Sequence, residues 1–135
     1  MTGILLILVP TIMYGGITIL GILTEGIAGM APGGLELNET QYSLWRAGHA
    51  HAAVIVILSL VIQILVDATK LSKKLSWLAR ISAPVAAVAI SGGFFGLAFL
   101  PGFKWLLYVG VLSLVVSLLV TGIGLLKNLD MPKNA

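Results

Sequence analysis

The stretch WRAGHAHAAVIVILSLVIQILV, residues 45–66, has the length and character of a membrane-spanning helix. A helix rises 1.5 Å per residue, so about 20 apolar residues cross the roughly 30 Å hydrocarbon core of a bilayer. Two histidines, His49 and His51, interrupt the apolar pattern near its beginning and are the only histidines in the chain. The stretch therefore predicts a spanning helix that carries a polar site.

Three further apolar runs of similar length occur at residues 4–24, 78–100 and 105–126. The whole chain of 135 residues is 59% hydrophobic and 10% charged, whereas ordinary soluble domains are about a quarter charged. Backbone polar groups in lipid must be paired within their own element, so such runs are expected to be helices. We predict an all-α integral membrane protein, with residues 1–135 forming a single four-helix bundle.

Basic residues are concentrated on one side of this predicted bundle. Six of the eight lie between helices two and three or near the C-terminus: Lys70, Lys73, Lys74, Arg80, Lys127 and Lys133. The positive-inside rule makes this side cytoplasmic, so both termini are expected in the cytoplasm and the histidines at the outer side. We expect a multi-pass protein of the plasma membrane, and the topology signal explains the basic loop better than a nucleic-acid site does.

The start of the second helix carries a recognisable capping pattern. Asn38 is followed three residues later by Gln41, which resembles a capping box and extends the predicted helix to residues 39–67. Trp45 would then lie in the aromatic belt at the outer interface. The two histidines would lie roughly 6 and 9 Å deeper than Trp45, within the outer leaflet.

Small residues recur at helical spacing in the third and fourth helices. Gly92 and Gly96 form a small-xxx-small pair, and Ser113, Ser117 and Thr121 follow one another at steps of four. Such stripes let helix backbones approach closely in membranes. They predict close helix packing, within one chain or between chains.

The spacing of the histidines bears on what they can bind. Positions two apart differ by about 200° around a helix, so His49 and His51 should face nearly opposite sides and serve two flanks. Their glycine and alanine neighbours leave room for a flat apolar ligand, and histidine is the usual axial ligand of b-type haem. Arg46, one turn nearer the water, would meet the haem propionates. Gln63 lies two heptads beyond His49, on roughly the same face.

The motif GHAHA, residues 48–52, followed by an apolar helix, resembles the His-x-His helix of the catalytic subunit of the haem-copper oxidase and nitric oxide reductase superfamily. In that family the histidine pair ligates two haems on opposite flanks of one helix, the second helix of a four-helix arc. The resemblance implies that His49 and His51 ligate haem b. The chain has no further histidines for the family's copper site, so reduction of oxygen or nitric oxide is not implied.

The family's catalytic subunit has twelve helices in three arcs, so one four-helix chain corresponds to one arc. The resemblance therefore implies a homotrimer in which the second helices face the axis. Each haem would lie between neighbouring chains, ligated by His49 of one chain and His51 of the next. Two histidine ligands favour electron transfer with an unidentified redox partner, whereas a single ligand would leave an iron position for a gas.

Two other interpretations remain open. The histidines, together with Glu25, Glu36 and Glu39, would form an outer-face site for a divalent metal such as Zn²⁺ or Cu²⁺. Alternatively, the chain is an accessory structural subunit without a ligand.

The residue types of the chain also exclude several kinds of site. The chain contains no cysteine, which excludes disulfides, iron–sulfur clusters and covalently attached haem. No nucleophile–base pair or phosphate-binding loop is present, so an enzyme is not the favoured interpretation.

Overall fold

The computed structural model describes residues 1–25 and 36–129, with side chains described as far as Lys127. Residues 26–35, between the first two predicted helices, and Lys133 lie outside this part. Its helices are α1 (Thr2–Leu23), α2 (Glu39–Asp67), α3 (Lys73–Leu97) and α4 (Lys104–Leu129). A 3₁₀ turn at Pro101–Phe103 precedes α4. All four helices are long and apolar enough to cross a membrane, which confirms the predicted helical class.

The capping box predicted for α2 is present. The side chain of Asn38 accepts a hydrogen bond from the backbone N–H of Gln41 at 3.0 Å, and the Gln41 side chain accepts one from the N–H of Asn38 at 2.9 Å. Gln41 Nε2 also donates to the carbonyl oxygen of Ala98, at the end of α3, at 2.9 Å. The cap therefore both begins α2 and ties it to α3. This end of the bundle, where α2 begins and α3 ends, is called the histidine end below.

Helix α3 begins at Lys73, five residues before the predicted run at 78–100. Ser72 acts as its N-cap, since its side-chain oxygen accepts a hydrogen bond from the N–H of Leu75. The first turn of α3 is therefore polar, and a search for apolar membrane spans leaves it out. The end of the bundle where α2 finishes and α3 begins is called the lysine end.

The core lies among α2, α3 and α4, and α3 contributes mainly small residues to it. Its buried alanines are Ala79, Ala83, Ala86, Ala87 and Ala89. Gly110 of α4 faces them so closely that an added Cβ would lie 2.9 Å from the backbone nitrogen of Ile90. Small residues on both helices therefore allow the backbone contact on which membrane helix packing depends.

Polar side chains also point into this core. Ser117 of α4 is fully buried and donates from Oγ to the carbonyl oxygen of Ala79 at 2.7 Å. Thr121, one turn further along α4, is buried as well. Part of the serine and threonine stripe therefore packs within the chain.

Helix α1 is the least enclosed of the four. Three of its residues are buried, namely Leu5, Gly21 and Ile22, and α1 packs mainly on α2. Most of its large apolar side chains are exposed, as expected for a helix in contact with lipid or with another chain. The position of α1 matters because it covers one of the two histidines.

Candidate histidine site on helix α2

The two histidines face different flanks of α2. His49 faces α1, where a Cβ added to Gly16 would lie 2.8 Å from the histidine Nε2. His51 faces α3, where its ring stacks on Phe94 with centroids 4.9 Å apart and planes at 29°. This arrangement agrees with the 200° separation expected from their spacing.

Gly48 lets α3 approach α2 closely enough to place side chains on both flanks of α2. It is buried, and an added Cβ would lie 3.2 Å from each of three atoms: Phe94 Cβ, Phe95 Cζ and the carbonyl oxygen of Ser91. The close approach places Phe94 beside His51, while Phe95 lines a cavity next to His49. Neither phenylalanine was predicted as part of the site, although the adjacent pair in a spanning helix was a visible signal.

The imidazole of His51 is held in one tautomer. Its Nδ1 lies 2.7 Å from the carbonyl oxygen of Ala47, one turn earlier in α2. A carbonyl oxygen only accepts hydrogen bonds, so Nδ1 is the donor in this contact, and in the neutral imidazole Nε2 is then the nitrogen with the lone pair. The His51 side chain is exposed. A neutral imidazole whose second nitrogen is bonded to a carbonyl is the usual form of a metal-ligating histidine.

The surroundings of His49 are more closed. It borders a cavity of about 200 Å³ between α1 and α2, lined also by Gly15, Ile19, Ala52 and Phe95. Pockets that enclose drug-sized ligands measure about 300–1,000 Å³. A haem therefore does not fit inside a single chain at this position.

The two histidines differ in how well they suit a haem. His51 fits a haem ligand, because no described residue is hydrogen-bonded to its Nε2 and its ring is oriented by two contacts. His49 is less suited with α1 in place, because a methyl group on Gly16 would already lie 2.8 Å from Nε2 and little room is left for a metal about 2 Å from that nitrogen. Ligation by His49 would therefore require α1 to move away from it.

Arg46 and Trp45 lie near the His49 flank. Arg46 is exposed and, three residues before His49, is its neighbour on the helix surface. Trp45, four residues before His49, packs edge-on against Phe95 and Phe99. Its Nε1 is buried, and within the described part of the chain it has no hydrogen-bond partner. The exposed Arg46 on this flank suits an anionic group such as a carboxylate.

The acidic residues of the predicted outer-face metal site, Glu25, Glu36 and Glu39, are all exposed. Within residues 1–25 and 36–129, no three histidine, aspartate or glutamate side chains are grouped closely enough to hold a metal ion. The divalent-metal site stays a prediction, and it would need these side chains to converge.

Comparisons of the chain with protein families, curated proteins and solved structures found no match. The chemical interpretation of the histidine site therefore depends on its own residues and their geometry.

Proposed function

We propose that this protein is an integral membrane protein that binds b-type haem, with His51 as an axial ligand on the outer surface of α2. The observation that carries the proposal is the fixed tautomer of His51, whose Nε2 is left free on an exposed face. An unpartnered polar group in hydrocarbon costs several kcal/mol, of the order of 2–7. Residues 1–25 and 36–129 supply no hydrogen-bond partner for this nitrogen, and in the proposal the haem iron takes that place.

The proposed topology places the histidine end at the outer side of the plasma membrane and the lysine end in the cytoplasm. It is supported by the basic residues at the lysine end: Lys70, Lys73, Lys74 and Arg80. In this orientation the histidines of α2 lie in the outer leaflet, within reach of a partner on that side.

The proposed assembly is a homotrimer in which haem lies between chains. The small cavity at His49 supports an intermolecular position, because a single chain does not enclose a haem. His51 of one chain and His49 of the next would be the two axial ligands, with α1 displaced from His49. Arg46, which is exposed, would then receive the propionates beside His49.

A haem held by two histidines supplies one-electron transfer. The chain's own residues position the ligand: the Ala47 carbonyl fixes the tautomer of His51, and the Phe94 ring fixes its plane. If His51 is the only ligand, the site binds a gas instead.

The test is a reduced-minus-oxidised visible spectrum of the detergent-purified protein, expressed with haem supply. We expect sharp α and β bands in the wild type and their loss in His51→Phe, which keeps an aromatic ring against Phe94 but cannot ligate iron. Leu119→Phe is the control, because it introduces a phenylalanine at an exposed position of α4, on a different helix from His51. It should keep the bands.

The outcomes separate the rival interpretations. A colourless wild type at full haem supply would overturn the haem proposal, and Zn²⁺ calorimetry on wild type and His51→Phe would then test the metal site. Unchanged bands in His51→Phe would remove His51 as the ligand. Loss of the bands in His49→Ala as well would support ligation by both histidines.

A further inference from the structure

A second cavity lies at the lysine end, far from the histidines along α2. Its volume is about 520 Å³, within the range of ligand-binding pockets. It is lined by Met1, Leu71, Lys73, Ser76, Trp77 and Arg80. The start of α1 therefore meets the first two turns of α3 around a space that is basic on one side and apolar on the other. We propose that this cavity binds the phosphate headgroup of an anionic phospholipid.

The polar side of the cavity offers donors suited to a phosphate. Lys73 contributes an ammonium group and Ser76 a hydroxyl. Arg80 is ion-paired with Asp67 through Nη2. A guanidinium has five N–H donors, so this contact leaves others for a phosphate oxygen.

The charge at this end is not balanced by the protein. Between residues 66 and 82 the chain has four basic side chains and a single carboxylate, that of Asp67. Lys73 and Lys74 also occupy the first turn of α3, where the helix dipole disfavours positive charge. A bound anion would offset both the repulsion among the basic side chains and the unfavourable interaction of the lysines with the helix dipole. A basic pocket at a membrane surface also attracts anionic lipids.

The apolar side of the cavity favours a lipid over a free phosphate ion. Trp77 is exposed and has the amphipathic ring typical of the membrane interface. Exposed apolar residues continue from it along one face of α3, at Ile81, Val85 and Val88. This face forms a track for an acyl chain directly beyond the headgroup position.

The experiment measures thermal unfolding of the detergent-purified protein during titration with phosphatidylglycerol, phosphatidylcholine or inorganic phosphate. We expect phosphatidylglycerol to raise the midpoint saturably, and the other two to have little effect. Lys73→Gln should raise the half-saturating phosphatidylglycerol concentration about tenfold, as expected for loss of one charge-assisted contact. Lys74→Gln changes the net charge equally but does not line the cavity, so its half-saturation should stay within about twofold.

Each other result overturns the proposal. Equal weakening by Lys73→Gln and Lys74→Gln would mean that the lipid responds to general surface charge. An equal midpoint shift with inorganic phosphate would mean that the cavity binds a free anion. An equal shift with phosphatidylcholine would mean that binding does not depend on the negative charge of the headgroup. If Lys73→Gln does not fold, the three wild-type titrations decide, together with Lys73→Arg, which should keep phosphatidylglycerol binding.

Discussion

Gln63 of α2 donates a hydrogen bond from Nε2 to the carbonyl oxygen of Arg80 in α3, at 3.0 Å. That carbonyl has no helical partner, because Pro84 stands four residues later and has no backbone N–H. Gln63 is only 1% exposed. A proline in one helix and an amide in another are therefore two halves of one contact, which satisfies a part-buried carbonyl.

Replacing Gln63 by leucine should lower the free energy of unfolding by at most about 1 kcal/mol, since the Arg80 carbonyl loses its partner while the buried Gln63 Oε1, which has no partner among the described residues, is removed as well. In a Pro84→Ala background the same replacement should cost less, because residue 84 then supplies a backbone N–H to Arg80. A double-mutant cycle, measured by denaturant titration in detergent, gives the coupling between the two positions.

The control for this cycle is Ser82→Ala. Ser82 donates to the carbonyl of Leu78 within its own helix, so its removal should change the unfolding free energy by less than about 0.5 kcal/mol. An equal cost of Gln63→Leu with and without Pro84 would show that the amide does not serve the proline gap.

Gly110→Ala should destabilise the packing of α4 on α3 by about 1–3 kcal/mol, because the new methyl group meets the Ile90 backbone. Gly122→Ala, in the same helix, adds its methyl group to open space and should be neutral or stabilising. Denaturant titration of the two variants side by side checks the prediction. Equal stabilities would contradict the close contact of α3 and α4.

Adjacent glycines of α1 provide a matched pair at the histidine site. Gly16→Ala should loosen the contact between α1 and His49, because its methyl group would lie 2.8 Å from Nε2 and the imidazole, at the end of its side chain, would have to move aside. Gly15→Ala meets nothing within 4 Å and should leave the contact unchanged. Hydrogen exchange of α1 amides is the measurement, with faster exchange expected only in Gly16→Ala. Equal exchange in the two variants would argue against the seating of His49 on α1.

The two roles of Gln41 are separable by substitution. Gln41→Glu keeps a side-chain oxygen for the N–H of Asn38 but loses the donor to the Ala98 carbonyl. Gln41→Ala loses both and should cost about 1 kcal/mol or more of unfolding free energy, with Gln41→Glu intermediate. Exposed Thr40→Ala is the control and should stay within about 0.5 kcal/mol of wild type. Denaturant titration would contradict the capping role if Gln41→Ala matched Thr40→Ala.

Local patterns in the sequence predicted the local structure well. The capping box placed the start of α2 correctly at Glu39, because both of its hydrogen bonds lie within four residues of chain. The start of α3 was predicted too late, because hydropathy detects the apolar span and not the polar turn that Ser72 caps. Helix class and number followed from the backbone's need for internal hydrogen bonds in lipid.

Only those features of the site that depend on the geometry of a single helix were predictable from the sequence. The opposite directions of His49 and His51 follow from their spacing alone. The contact between His49 and α1 depends on how α1 packs on α2, and the sequence around Gly16 does not specify that packing. Helical periodicity predicted that Gln63 lies on roughly the same face as His49. Its actual partner is in α3, where the Arg80 carbonyl has no helical donor because Pro84 has no backbone N–H.

The two glutamine contacts between α2 and α3 also fix the axial register of these helices. Gln41 bonds to Ala98 at the histidine end, and Gln63 bonds to Arg80 about 33 Å away along α2. The close packing of Gly48 against Phe94 and Phe95 opposes sliding of α3 along α2, and the two amide bonds add directional contacts to it. A slide of one turn, about 5.4 Å, would break both amide bonds together. Two amides, placed near opposite ends, therefore set the depth of Phe94 relative to His51 before any ligand binds.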